Sequence, residues 1–587
     1  MSPRLLLSFA LIAACACGGC SSTDAPDPDP PRHTPRWAFE PWISKDISTG
    51  DDTRAFVAGF RARDIPVGVV VLDSPWETNY NTYVPNPSRY PAFADMVRDL
   101  RADGVRVVLW TTQMMNTSSF DLEPGGDSYD LDPPEFLDGK ARGFFVNDGE
   151  TYFWWKGYGA GIDFTNPAAR AWLHAMTDRV LDLGVSGWKL DFGEEYITTP
   201  TVKTAGGVVP HQSYSESYYR DFLAHAVARR GLEEVVTMVR PWDKSYQWEG
   251  RFYARPEHAP VAWVGDNRRD WFGLADALDE ILRSARAGYV VIGSDIGGYL
   301  DLDDADLRTP IPANVETFIC WTKMAAFTPF FQLHGRANLA PWTVAERVDE
   351  TVAAYRFWAT LHHELVPFFY SLAEEAYAGR ATLLAPVGDE ASWPGDYRFT
   401  VGEALLVAPQ LDGTGARDVA LPAGARWLPL FDRAADAVEG GTTLRAVDAR
   451  DAQRVPVYLK EGAIVPMRVD SAVTGMAGPF AAGRDVVLVY PHGSATTRFA
   501  LHSDDGGAPI ELTAGPGPTV TLARAPRAAL IALRGVATPA QVVVDGVEAR
   551  RVGAPDALGD GPAWALDGRV VWVALPPSPS AVSVQLR

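Results

Sequence analysis

The sequence predicts an α/β fold, a (β/α)8 TIM barrel followed by two all-β, β-sandwich domains. Three observations carry this. Eight short apolar runs alternate with stretches whose apolar residues recur every three and four positions. Strand, helix, strand repeated eight times is the signature of a closed parallel barrel. From Ala381 onward the pattern changes to short Val- and Leu-rich runs divided by Gly, Pro and Asp turns, without convincing helices.

The expected strands are Trp37 to Ile43, Val67 to Asp73, Val105 to Thr112, Gly187 to Asp191, Val235 to Arg240, Ala262 to Asp266, Tyr289 to Asp295 and Phe327 to His334. The expected helices are Thr53 to Arg63, Phe93 to Asp103, Pro167 to Leu183, Ser213 to Arg230 and Trp271 to Ala287, with a long helical stretch from about Asp349 to Ala378. The segment 116–161 is too long for a simple loop and rich in aromatics and glycines, so it reads as an insertion over the barrel mouth. The barrel is assigned 36–379, a proximal β domain 380–470 and a distal one 475–587.

The chain has 587 residues, enough for several domains and a large core. Its 53 Lys and Arg against 74 Asp and Glu leave a net charge of -21, which argues against nucleic acid and anionic membrane surfaces as partners. A neutral polar ligand fits better. Nineteen Trp and twenty Tyr supply faces that stack on sugar rings, although most such rings serve the core.

Residues 1–20 carry one early charge, Arg4, an apolar run from Leu5 to Ala14 and then small residues ending in cysteine. The apolar run is too short to span a bilayer and reads as a secretory signal. Small residues before cysteine resemble a bacterial lipoprotein processing site. Ile12 to Cys15 fits the lipobox pattern, while Cys20 followed by Ser21 and Ser22 looks like the start of a tether. The Pro- and Asp-rich segment 21–35 cannot bury a core and extends as a linker of roughly 45 Å. The expectation is an exported lipoprotein, periplasmic or at the cell surface, meeting the membrane only through this anchor. Cys320 is alone in the body, so a buried inert thiol is expected there and no structural disulfide.

The strand ends collect Asp73, Trp110, Lys189 with Asp191, Arg240, Trp263 with Asp266, Asp295 and His334. Barrel enzymes place their chemistry at this end. Acids that accept from hydroxyls and tryptophans that cover C–H faces suit a polyhydroxylated ligand. Two of the acids can form the nucleophile and proton-donor pair of glycoside hydrolysis, and residue type alone does not choose which two. Structural readings stand beside these: Asp191 as a cap, Arg240 as a clamp on Glu194, His334 as a satisfied core histidine, Trp110 as lining and Lys189 as partner of a catalytic acid.

These segments resemble glycoside hydrolase family 31, whose members include α-glucosidases, α-xylosidases and α-galactosidases. Lys189 to Glu194, Lys-Leu-Asp-Phe-Gly-Glu, is similar to the family's nucleophile motif and implies Asp191 as nucleophile. Trp263 to Asn267 is similar to its acid/base motif and implies Asp266 as proton donor. Ser294 to Tyr299 and Leu333 to Gly335 resemble later sugar-binding motifs, and Asp73 and Arg240 occupy places where the family contacts sugar hydroxyls. Val401 to Pro409 and Pro456 to Pro466 resemble the β-domain that follows its barrel. Two features depart from the pattern. Members usually carry a large β-sandwich before the barrel, whereas here a tether precedes Trp37. Lys189 stands where typical α-glucosidases have an aromatic residue, which resembles the α-xylosidase, α-galactosidase and sulfoquinovosidase branches more.

The resemblance implies a retaining, exo-acting α-glycosidase for terminal neutral sugars, galactose or glucose ahead of xylose, with no metal or organic cofactor. A metal-dependent sugar-processing barrel enzyme and a non-catalytic glycan-binding lipoprotein are the alternatives. No His-x-His or His-Glu-x-x-His spacing supports the first, and retention of both carboxylates speaks against the second.

Overall fold

The computed structural model describes residues 28–120, 125–129, 132–192, 197, 199–242, 252–503 and 507–587. Barrel strands one to six are Trp42–Lys45, Val69–Leu72, Arg106–Thr111, Gly187–Leu190, Val236–Val239 and Val261–Trp263. The seventh is broken at Ser294 into Ile292–Gly293 and Asp295–Ile296, and the eighth is Gln332–Leu333. Every neighbouring pair in this sheet runs parallel. The broken strand closes the ring: Ile292 lies opposite Ala262 of strand six, and Asp295 lies opposite Gln332 of strand eight. Closure leaves no open edge, and the strands, covered on both faces, are built from buried Val, Leu, Ile and Trp.

The first strand starts later than its apolar run suggests. Arg36–Phe39 form a 3₁₀ turn, and Pro41, which has no N–H for a ladder, keeps the strand from beginning before Trp42. The expected helices form as Gly50–Arg61, Phe93–Ala102, Pro167–Leu181, His211–Arg230 and Trp271–Arg286. Asn166 caps the third of these by accepting from the Ala168 and Ala169 N–H groups, with Pro167 at the first turn. Asp270 caps the last by accepting from Gly273 N–H. A further helix, Val315–Ala325, has no amphipathic stripe, because all of it but Glu316 is buried. The long stretch near the barrel's end is two helices, Val348–Glu364 and Val366–Tyr377. Pro367, lacking an N–H, cannot continue the first and sits in the opening turn of the second.

The insertion folds on itself. Met114–Phe120, Ser128–Tyr129, Tyr152–Trp154 and Gly157–Gly161 make a four-stranded antiparallel sheet, joined by the helix Pro134–Ala141. One face of this sheet turns Trp154 inward, fully buried, while Phe153 and Tyr158 remain exposed. After strand four, a hairpin of Thr201–Thr204 and Gly207–Pro210 leads into the His211–Arg230 helix.

Beyond the barrel, a six-stranded sheet spans Leu384–Pro386 to Val457–Lys460, accompanied by a two-stranded sheet of Ala416–Ala420 and Thr443–Asp448. The last unit packs two six-stranded sheets face to face over Val487, Val489, Ile531, Leu533, Val571 and Val573. Ile464–Arg468 is hydrogen-bonded antiparallel to Asp485–Val489 in this last unit, so the chain enters it before the weak break near Gly475. Cys320 is a buried free thiol.

Gly187 opens the strand that carries the Lys189 and Asp191 segment. Its φ is +121°, and a Cβ there would lie 1.8 Å from the Val236 carbonyl oxygen of strand five. Gly187→Ala therefore forces two paired strands apart. It is expected to cost about 3–5 kcal/mol in denaturant unfolding or to prevent folded protein from accumulating; unchanged stability would contradict this register.

Candidate active site

Period-two alternation aims the last inward side chain of each strand at the same volume. The structure brings all the residues singled out at the strand ends into one connected cluster. Trp110 and Lys189 are directly paired across strands three and four. Tyr218 of the following helix donates to the Thr111 carbonyl at 3.2 Å and the Asp191 carbonyl at 3.3 Å, tying those two strand ends together.

Asp191 is held by three donors. Trp110 Nε1–H donates to Oδ2 at 3.0 Å, the Phe192 backbone N–H to Oδ1 at 3.0 Å, and Arg240 Nη2 to Oδ1. Phe192 has φ +52°, a left-handed conformation that costs a non-glycine residue about 1 kcal/mol. Its ring is clamped from two sides: the Arg240 guanidinium lies 4.6 Å over it, and Trp154 meets it edge-on at 6.4 Å. Trp154 also stacks on Trp110 with centroids 6.2 Å apart and planes 6° from parallel. The insertion sheet thus buttresses the ring that orients the Asp191 carboxylate. Gly193, Glu194 and Glu195 lie outside the described residues, as does any clamp between Arg240 and Glu194; Arg240 pairs with Asp191.

On the other side of the mouth, Lys189 Nζ donates to Asp73 Oδ2 at 2.8 Å and lies 3.4 Å from His334 Nδ1 and 5.0 Å from the Trp263 ring centroid. Burial alone would lower the Lys189 ammonium, but Asp73, Asp295 and Asp191 outweigh it and raise its pKa. Burial likewise works to raise Asp73, and Lys189 and His334 outweigh it, so its carboxyl is lowered. His334 spends both ring nitrogens on carboxylates: Nε2 is 2.8 Å from Asp46 and Nδ1 is 3.3 Å from Asp295. Burial and Lys189 act to lower it, yet Asp46 and Asp295 push it up to about 10. Tyr299 packs against its ring at 4.7 Å. The structure thus gives His334 the work of holding two acids in place.

Asp266 has a different environment from Asp191. Asp266 is half-buried, and the partial loss of solvent pushes its carboxyl up to about 6, reinforced by Asp191 and Asp295 and opposed by Arg240 and Lys189. The two aspartates are therefore distinguished by their surroundings: one oriented by three donors, the other held toward its protonated form.

Two members of the cluster were not singled out in the sequence. Asp46 follows the first strand directly; an end placed at Ile43 hides it. Gln332 stands two residues before His334 on the same face of strand eight and donates through Nε2 to Asp295 Oδ1 at 2.6 Å; the period of two was the available signal. Among the described residues, Asp46, Asp73 and His334 offer ligand atoms within 4.8 Å of one another, close enough for a metal ion. The Lys189 ammonium, 2.8 Å from Asp73, already supplies the positive charge at that place, so the residues fit a charge-paired lysine better than a cation.

Asp46→Asn is expected to bring the His334 titration down from about 10 toward its ordinary 6.5, read by NMR of the ring protons. Because the folded value lies above the ordinary one, the stabilisation from this pairing is complete below about 6.5 and fades as pH rises toward 10. Asp46→Asn should remove most of that slope from the pH dependence of unfolding; an unchanged His334 titration would remove Asp46 from the network.

Comparison with known proteins identifies the family and the fold. Residues 31–372 match the model for the glycosyl hydrolases family 31 TIM-barrel domain, and residues 367–465 match that for the family's C-terminal domain. An alpha-glucosidase 2 from Bacillus thermoamyloliquefaciens is 24% identical over 494 residues, covering 80% of this chain and 58% of its own. An alpha-xylosidase from Emericella nidulans is 24% identical over 458 residues, covering 74% and 54%. The chain thus spans little more than half the length of these relatives. Among solved structures, a cycloalternan-forming enzyme from Listeria monocytogenes in complex with a pentasaccharide substrate superposes with a TM-score of 0.79 at 19% identity, covering 96% of this chain and 55% of its own. A Flavobacterium johnsoniae dextranase complexed with glucose gives 0.78 at 21%, covering 95% and 71%. At these identities the structures share the fold. With its barrel and the domain after it both matched, the chain belongs to glycoside hydrolase family 31.

Proposed function

We propose that the barrel is a retaining, exo-acting α-glycosidase that releases terminal α-linked neutral sugars, with galactose or glucose ahead of xylose. The observation that carries this is the contrast between Asp191 and Asp266. Two carboxyl groups whose environments are pushed apart are what a nucleophile and a proton donor need. Asp191, with its oxygens oriented by Trp110, Arg240 and Phe192 N–H, attacks the anomeric carbon. The glycosidic bond breaks as Asp266 passes its proton to the leaving oxygen, giving a glycosyl ester on Asp191. Asp266, now a carboxylate, takes a proton from water as that water releases the sugar. The alpha-glucosidase and alpha-xylosidase relatives support the α-glycosidic class.

The preference for a neutral sugar follows from charge pairing. Lys189 and His334 are balanced by Asp46, Asp73 and Asp295, which leaves them poorly placed to neutralise an acidic substituent. Asp73 and Lys189 form the polar floor expected to meet hydroxyls, beside Trp263.

Azide separates the two roles. In Asp266→Ala, an activated aryl glycoside still forms the ester on Asp191, and azide then gives the α-glycosyl azide. In Asp191→Gly the ester cannot form, and azide displaces the leaving group directly to give the β-glycosyl azide. The reversed pairing of anomers would exchange nucleophile and acid, and full activity in both variants would end the glycosidase reading of this site.

The same proposal places the enzyme on a membrane through an acylated Cys15 or Cys20, both outside the described residues. The first described residues run along the amino-terminal end of the barrel: Arg32 donates to Gly288 O at 2.8 Å and Thr34 to Pro260 O at 2.5 Å, just before strands seven and six. A tether leaving from there keeps the mouth clear of the bilayer. Replacing Cys15, Cys17 and Cys20 together by Ala should move the protein from the membrane fraction to the soluble fraction; retention in the membrane fraction would refute the anchor.

A further inference from the structure

Away from the barrel, the proximal and distal β units meet along a cleft of about 220 Å³. Its walls hold Arg426, Arg433, Arg534 and Arg569 against one lining acid, Asp436. Four guanidinium groups converging on one space stand out on a chain of net charge -21. Three of them sit at the rim in half-exposed ion pairs: Arg426 with Glu439 at 3.0 Å, Arg433 with Asp567 at 2.6 Å, and Arg569 with Asp436. Such exposed pairs are weak and open readily to a competing anion.

Arg534 is different. It is only 4% exposed. Its guanidinium donates to the carbonyls of Leu430 at 2.7 Å, Pro429 at 2.9 Å and Asp432 at 2.6 Å. Among the described residues no carboxylate lies within ion-pair distance of it. Carbonyl dipoles orient the group, and the Asp432 carboxylate offsets its charge only in part, which is costly for a buried cation. Burial first and the neighbouring Arg433 second lower it to about 10 against the opposing pull of Asp432. The fork of N–H donors on arginine matches the spacing of oxyanion oxygens, and charge-assisted bonds of this kind are about twice as strong as neutral ones. Leu428 and Val536 line the same cleft, giving an apolar surface beside the charge.

We propose that this cleft is an oxyanion-binding site, separate from the barrel, that takes a carboxylate or sulfate group either as a free ion or carried on a sugar. The anion enters between the two β units, forms charge-assisted hydrogen bonds with the rim arginines and compensates Arg534 behind them. The proposal is independent of the glycosidase reading, since the cleft lies outside the barrel.

Isothermal titration of the full chain with sodium sulfate and with sodium glucuronate, against sodium chloride at matched ionic strength and against glucose, tests it. Saturable binding is expected for sulfate or glucuronate and none for chloride or glucose. Sulfate alone would identify a free-ion site, and glucuronate binding at least tenfold tighter would identify an acidic-sugar site. Arg534→Gln should weaken binding at least tenfold. Should that variant fail to fold, the rim double variant Arg426→Gln with Arg569→Gln, at half-exposed positions, is expected to weaken binding by at least fivefold while circular dichroism stays unchanged. Equal effects of chloride and sulfate, or rim variants that bind like the parent chain, would overturn the proposal.

Discussion

The mouth of this barrel depends on one constraint: charge buried in a protein must be matched by opposite charge or by oriented hydrogen bonds. Lys189, Asp73, His334, Asp46 and Asp295 are all nearly excluded from solvent. None of them is supplied by the same strand as its partner. Lys189 comes from strand four and Asp73 from the end of strand two; His334 comes from the end of strand eight, and its two acids from strands one and seven. The network therefore exists only when the ring of strands is closed in this order. Removing one member leaves another buried and unpaired, which costs more than the pair itself contributes.

Closure and the buried charge network meet at the seventh strand. The break at Ser294 lets its first half pair with strand six and its second half with strand eight. Asp295 falls on the far side of that break, where Gln332 and His334, two residues apart on one face of the eighth strand, can both reach it. Ser294 itself accepts from Trp321 Nε1–H at 2.9 Å, so the break is anchored by the buried Val315–Ala325 helix. A helix without an amphipathic stripe is what this position calls for, because it packs between the barrel wall and the β-domains.

What could be read in the sequence divides along physical lines. Strands buried on both faces show as apolar runs, and amphipathic helices show as spacings of three and four, so the barrel and its order were legible. Ends were less so. Pro41 shifted the first strand by several residues, and with it went Asp46, a partner of His334. The Val315–Ala325 helix carried no polar face to mark it because it is buried on nearly every side. Within the site, residue type marked the acids at the strand ends but not their roles. The distinction between Asp191 and Asp266 lies in donors contributed by Trp110, Arg240 and the Phe192 backbone, of which only Phe192 is local in sequence. His334 shows the same limit from the other side, since its two carboxylate partners come from residues 288 and 39 positions away.

The insertion shows how a segment of irregular appearance becomes part of the candidate site. Its sheet alternates, with Tyr152 and Trp154 buried and Phe153 between them exposed. The inward Trp154 completes an aromatic cluster with Trp110, Tyr80 and Phe192. Trp110 donates to Asp191, and Phe192 supplies the backbone N–H that also donates to it. Displacing Trp154 would remove one contact from each ring at once, so the surroundings of the Asp191 carboxylate depend on a residue of the insertion sheet as well as on its own strand. In this barrel the wall and the Asp191 carboxylate are one packed unit, and the roof is as much a part of the cluster's geometry as the strand ends beneath it.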